Sequence, residues 1–195
     1  MIKIKLKAIL LCLLLTSLLV ASCSNEPALK LTDVSVDIVT DEGVSGSENV
    51  GKGENAVKLV PTVLYYEFTI ENTRRSSIGS FEKQLQLFIK HDTDLIPNLD
   101  LYGFGYSNSP VIPPNESAEY KIHYALGIGD RKGIRTAKPL PDQEQLDEIL
   151  SKALDATLIV VQLPSDKSME GRTDPFVLNE DAEELIRFDL KDFKN

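Results

Sequence analysis

The sequence predicts a mainly β chain: an antiparallel β-sandwich of about seven or eight strands with one amphipathic helix near residues 142–155. Three observations carry this. Apolar and polar residues alternate strictly over several short runs, the period of a strand with one buried face. The runs are separated by stretches rich in Gly, Pro, Asn and Ser, which turn a chain. Only one segment carries apolar residues at a sustained helical spacing.

The elements follow in order. "LTDVSVDIV" places Val34, Val36 and Ile38 on one face, with Ser35 and Asp37 on the other. Asp41 to Asn55 holds Gly43, Gly46, Gly51 and Gly53 among polar residues and reads as a long, mobile loop. "TVLYYEFTIEN" is the clearest strand, with Leu64, Tyr66, Phe68 and Ile70 inward and Tyr65, Glu67, Thr69 and Glu71 outward. "KQLQLFIK" sends Leu85, Leu87 and Ile89 inward. "LDLYGFGYS" and "TDPFVL" are weaker strand candidates. "SNSPVIPPNES" should break any strand before Ala118, because proline cannot donate to a ladder. "AEYKIHYAL" turns Tyr120, Ile122, Tyr124 and Leu126 inward, with Glu119, Lys121 and His123 outward. "LGIGDRKGIRTAKPLP" is a second long loop.

The helix begins at Asp142, which can cap it, with Gln145 three residues on as in a capping box. Leu146, Ile149, Leu150, Ala153 and Leu154 form one apolar stripe. After it, Thr157 to Leu163 is an unbroken apolar and β-branched run, which suits a strand covered on both faces. "ELIRFDL" groups Ile186, Phe188 and Leu190.

The N-terminus has a different character. Lys3, Lys5 and Lys7 form a basic start, Ala8 to Val20 is almost wholly apolar, and Ala21 and Ser22 are small. That is the layout of a secretory signal peptide. As a helix the apolar part would span roughly 20 Å, short of the roughly 30 Å of a bilayer core. Its end, Leu19-Val20-Ala21-Ser22-Cys23, resembles the lipobox of bacterial membrane lipoproteins. The resemblance implies cleavage before Cys23 and a lipid on its sulfur, with palmitate among the acyl chains. It divides the chain into a signal peptide at 1–22, a lipidated cysteine with a short tether at 23–29, and a β domain at 30–195. The partner so implied is the bacterial cell membrane, with the body on its extracytoplasmic face. Ser24 after the cysteine would permit the outer membrane in a Gram-negative cell.

Cysteine usage fits. The two cysteines are Cys12 and Cys23; Cys12 leaves with the signal, so the mature chain forms no internal disulfide. Two or three acyl chains, at roughly 0.8 kcal/mol per buried methylene, hold a protein on a bilayer where one is marginal.

At "YYEFTIENTRRSSIGSFEKQLQLFI" and "VIPPNESAEYKIHYAL" the chain resembles the immunoglobulin-like modules of bacterial surface lipoproteins. The resemblance spans Leu31 to Leu126 and implies binding or spacing rather than catalysis. The Trp and disulfide of antibody domains are absent, and the helix after Asp142 departs from the pattern.

Charge narrows the partners. The chain carries 21 basic and 30 acidic side chains, a net of −9. Loss of the signal removes three lysines and no acids, leaving 18 against 30, or −12. Such a body repels nucleic acid and anionic headgroups, so no nucleic-acid partner is expected and membrane binding falls to the lipid. A mature chain of about 170 residues is the size of one domain.

Chemistry-bearing motifs are sparse. His91 and His123 are the only histidines, neither sits in a zinc-protease motif, and both are expected to be exposed. "GFGYSN" lacks the serine of a hydrolase elbow, and "GIGDRKG" lacks the rest of a phosphate loop. "HDTD", with Asp92 and Asp94, and "NEDAEE", from Asn179 to Glu184, lack the EF-hand spacing. No metal, cofactor or catalytic residue is therefore predicted. Two binding patches remain. Tyr102, Phe104 and Tyr106 alternate with glycines and form either core or a flat aromatic row. Arg131, Lys132, Arg135 and Lys138 gather four of the 18 mature cations within eight positions.

The sequence thus predicts a lipid-anchored binding or interaction module of the cell envelope, not an enzyme, whose partner is an envelope protein or polysaccharide. Two alternatives stay open: an envelope hydrolase built on carboxylates, and an inhibitor or accessory lipoprotein using the "IRTAKPLP" loop.

Overall fold

A computed structural model describes residues 27–92, 100–107, 109–165 and 182–194, the side chains of 54 and 100–107 excepted. The chain is mainly β, with several antiparallel sheets and few helices.

Four strands make the larger sheet, in the order β1 (Leu29–Val39), β4 (Thr62–Asn72), β9 (Ser117–Gly127), β7 (Asp100–Ser107). Strand β4 sits between β1 and β9, and its alternation decides which residues enter the core. Leu64, Tyr66, Phe68 and Ile70 are fully buried. Across from them in register lie Tyr124, Ile122, Tyr120 and Ala118 of β9. On β1, an edge strand, Val34, Val36 and Ile38 are half-buried against the same core.

Three strands make the second sheet, in the order β11 (Glu183–Asp189), β10 (Ala156–Pro164), β6 (Lys83–His91). The central β10 is buried on both faces, as its unbroken apolar run predicts. Leu158 and Val160 join the main core, while Ile159, Val161 and Leu163 form a second cluster on the other face with Phe88 and Ala182. From β6, Leu85, Leu87 and Ile89 enter the main core. That core draws on both sheets and on α2 (Gln143–Lys152). Each fully buried Leu or Ile in it contributes roughly 1.5–3 kcal/mol.

Helix α2 starts as expected. The Asp142 carboxylate accepts from Gln145 N–H at 2.9 Å, and the Gln145 side chain accepts from Asp142 N–H at 3.2 Å. Leu146, Ile149 and Ala153 are buried, and Leu150 and Leu154 pack against the same core.

Three expectations are corrected. The segment from Asp41 to Asn55 is structured rather than a long loop. Asp41 accepts from Gly43 N–H at 2.7 Å and starts the single turn α1 (Glu42–Ser45). Gly46 and Gly51, at φ 69° and 108°, turn the chain so that β2 (Glu48–Val50) pairs with β3 (Val57–Leu59). A 3₁₀ turn at Gly53–Asn55 closes that hairpin. The proline-rich segment does not exclude a strand either: β8 (Val111–Ile112) fits between Pro110 and Pro113 and pairs with β5 (Ile78–Gly79). Leu190 is buried with Ile186 and Phe188 nearby, but in a closing 3₁₀ turn, Leu190–Phe193, rather than in β11. The "TDPFVL" candidate lies outside the described residues.

The strands give the body two ends. At one lie the start of β1, the end of β4, and the starts of β9 and β6. At the other lie the end of β9, the end of β6, the β2–β3 hairpin and α2. The length of β4 separates them by roughly 33 Å at about 3.3 Å per residue. Among the described residues no helix is long and apolar enough to cross a membrane.

Candidate functional site

The loop after β9 begins at a close approach. A Cβ on Gly127 would sit 2.4 Å from the Pro139 carbonyl oxygen, so only glycine lets the returning chain lie against β9. Ile128 then pairs in parallel with Pro139, its N–H donating to Lys138 O at 2.9 Å, while Leu140 N–H donates to Ile128 O at 3.3 Å. Between these ties the chain makes a tight turn. Asp130 Oδ1 accepts from Lys132 N–H at 3.0 Å, and Ile134 N–H donates to Arg131 O at 2.8 Å. Lys132 and Gly133 are left-handed, at φ 47° and 83°.

The turn presents Arg131, Lys132, Arg135 and Lys138, all exposed. The Lys132 ammonium donates to the carbonyl of Lys58 at 3.1 Å, pinning the loop to β3. Below it lies an open depression of about 280 Å³, lined by Thr40, Lys58, Val60, Thr62, Gly129, Asp130, Lys132 and Leu140. Thr40 and Thr62 share a hydroxyl hydrogen bond of 2.6 Å in its wall. The Lys58 ammonium pairs with Glu42 of α1, which holds that carboxyl below the usual range. The lining thus sets two lysines and two threonines beside the Asp130 carboxylate, with the Lys58 ammonium on Glu42 and the Lys132 ammonium on the Lys58 carbonyl.

Of the four basic residues singled out in sequence, only Lys132 lines this depression; Arg131, Arg135 and Lys138 stand on the same loop outside it. Lys58, Thr40 and Thr62 were missed. They lie far from the loop in sequence, and the short hairpin strands that bring Lys58 there carry no period. Tyr102, Phe104 and Tyr106 fall on edge strand β7, with Phe104 opposite Tyr124 and Tyr106 opposite Ile122 in register; their side chains lie outside the description, and so does Cys23.

The histidine expectation is half wrong. His91 is 7% exposed, because it continues the inward parity of Leu85, Leu87 and Ile89. That parity was the available signal. Burial pushes its imidazole down to about 4. His123 is half-buried, opposite Tyr65, and burial lowers it too.

Four described carboxylates, Glu42, Glu67, Asp155 and Glu184, are held below their ordinary range. Glu67 accepts from the Tyr65 hydroxyl at 2.8 Å and pairs with Lys121 at 3.2 Å, both lowering its pKa. Asp155 is lowered by Lys194, and Glu184 by Arg187. Asp92 pairs with Lys191 at 2.5 Å; Asp94 and residues 179–181 lie outside the described residues. Among the described residues no three His, Cys, Asp or Glu side chains cluster as metal ligands would.

No family model, curated protein or solved structure matches the chain.

Proposed function

We propose that the chain is a lipid-anchored, extracytoplasmic binding module of the bacterial cell envelope, held by Cys23. Its two sheets would form an immunoglobulin-like β-sandwich around the shared core. Its ligand is an anionic group of an envelope polysaccharide or protein, taken at the depression beneath the Arg131–Lys138 loop. The observation that carries this reading is the convergence of Lys132 and Lys58 on one open concavity. Around it the loop exposes three more cations on a chain of net −9. Its place at the far end of β4 from the tether supports presentation away from the membrane.

Among the described carboxylates no resolved shift supplies a general acid. A general acid works with a raised pKa. The described carboxylates with a resolved shift, Glu42, Glu67, Asp155 and Glu184, are all lowered.

The test compares two full-length proteins as baits for envelope extract. One is wild type; the other carries Lys58→Ser, Arg131→Ser, Lys132→Ser, Arg135→Ser and Lys138→Ser. An acidic component held by the first and released by the second, with strong salt dependence, supports the reading. Equal retention by both contradicts it.

A further inference from the structure

We propose that the tether end of the body is a membrane-docking face, on which Phe81 enters the headgroup region of the leaflet holding the anchor. The proposal rests on the lipid-anchor reading of Cys23.

Phe81 is 77% exposed, the one large apolar side chain so exposed among the described residues. It sits on a braced turn. Ser80 N–H donates to Lys83 O at 2.8 Å, Lys83 N–H donates to Ser80 Oγ at 2.9 Å, and Ser165 N–H donates to Glu82 O at 2.8 Å. The backbone under the ring is therefore held, while the ring itself stands in solvent.

The tether leaves the body at the same end as this turn. Thr73 donates through its hydroxyl to Pro27 O at 2.7 Å and through its N–H to Ala28 O at 3.1 Å. Leu29 pairs with Asn72, whose side-chain amide reaches Ile112 O at 3.0 Å. Ile112 pairs with Ile78, three residues before Phe81.

Chain length then limits the distance to the membrane. Four residue steps separate Cys23 from Pro27, a reach of at most roughly 14 Å. A headgroup layer takes up about 6 Å of that. That holds Pro27 within about 8 Å of the headgroup layer while Cys23 is anchored in the bilayer.

Charge permits the approach. Among the described residues Lys30, Arg74, Arg75 and Lys83 lie at this end with Glu71, Glu82, Glu116 and Glu183. Arg74 and Arg75 are exposed beside the tether, and among the described residues neither has a carboxylate partner. Exposed guanidinium groups and an exposed aromatic ring at one end of the body suit an interface of lipid phosphates over acyl chains.

The chain has no tryptophan, so a single introduced indole reports its own surroundings. Full-length Phe81→Trp and Arg135→Trp proteins are reconstituted into vesicles of phosphatidylcholine and phosphatidylglycerol, with and without brominated acyl chains. Only protein that floats with the vesicles is read. The proposal expects blue-shifted emission from Phe81→Trp, with loss of emission on bromination, and water-like, unquenched emission from Arg135→Trp at the opposite end. Water-like, unquenched emission from Phe81→Trp, or quenching of Arg135→Trp in its place, would overturn it. The mass of the N-terminal peptide reports the anchor separately. A lipidated Cys23 with a water-exposed indole sinks the docking face alone; an unmodified N-terminus with a quenched indole sinks the anchor alone.

Discussion

The hydroxyl of Tyr66 lies 3.0 Å from Nε2 of His91, and both side chains are buried. The same hydroxyl donates to the carbonyl of Ala153 at 3.0 Å. A carbonyl can only accept, so the tyrosine proton goes to Ala153 and His91 donates from Nε2–H. One hydroxyl thereby joins β4 to β6 and satisfies a carbonyl left over at the end of α2.

Tyr66→Phe removes that hydroxyl and leaves the His91 donor and the Ala153 acceptor without a partner. The expected loss is on the order of 1–3 kcal/mol, a fall in Tm of roughly 2–4 °C per kcal/mol. Denaturant melts at neutral pH measure it. An unchanged midpoint would contradict the linkage.

His91 makes stability depend on pH. Burial lowers its folded pKa from 6.5 to about 4, with the Asp92 charge opposing. Between those values the unfolded chain binds the extra proton, so the contribution is complete above pH 6.5 and is lost as pH falls toward 4. The window corresponds to about 3 kcal/mol. His91→Gln keeps an N–H donor for Tyr66 and cannot titrate. It should flatten the curve of unfolding free energy between pH 6.5 and 4; a variant with an unaltered slope would assign the dependence elsewhere.

Asn72 continues the inward parity of β4 and is fully buried. Its amide nitrogen donates to Ser76 O at 2.8 Å and to Ile112 O and Pro113 O at 3.0 Å, while its oxygen accepts from Arg74 N–H at 2.9 Å. Asn72→Ala should cost on the order of 2 kcal/mol or more. Asn72→Asp should cost still more near neutral pH, because a carboxylate would face three carbonyl oxygens. Equal stability of the two variants would refute this account of the turn.

Gly127→Ala places a methyl group against Pro139 and should push the basic loop off β9, at a cost of about 1–3 kcal/mol. Limited trypsin digestion of the folded protein should then cut faster at Arg131, Lys132 and Arg135. An unchanged cleavage rate would mean that the contact at Gly127 does not hold the loop.

The sequence was most legible where a single period governs the burial. The inward rows of β4, β6 and β9 and the capped α2 follow directly from alternation and from the Asp142–Gln145 pair. The missed features depend on partners distant along the chain. Two-residue strands such as β5 and β8 have no period to detect, and the β2–β3 hairpin is set by left-handed glycines rather than by apolar residues. His91 and Asn72 are polar members of inward rows, and parity alone carries their burial. At the candidate site the loop cations were visible as a cluster, whereas Lys58, Thr40 and Thr62 reach it only through tertiary pairing.

Both the presentation of the basic loop and the docking of Phe81 depend on the anchor at residue 23. The most direct measurement is the mass of the N-terminal proteolytic peptide of the protein purified from the membrane of a bacterial host. The account predicts a peptide that begins at Cys23 and carries a thioether-linked diacylglycerol, lost together with processing in Cys23→Ala. A peptide bearing an unmodified Cys23, or one that begins elsewhere, would contradict it.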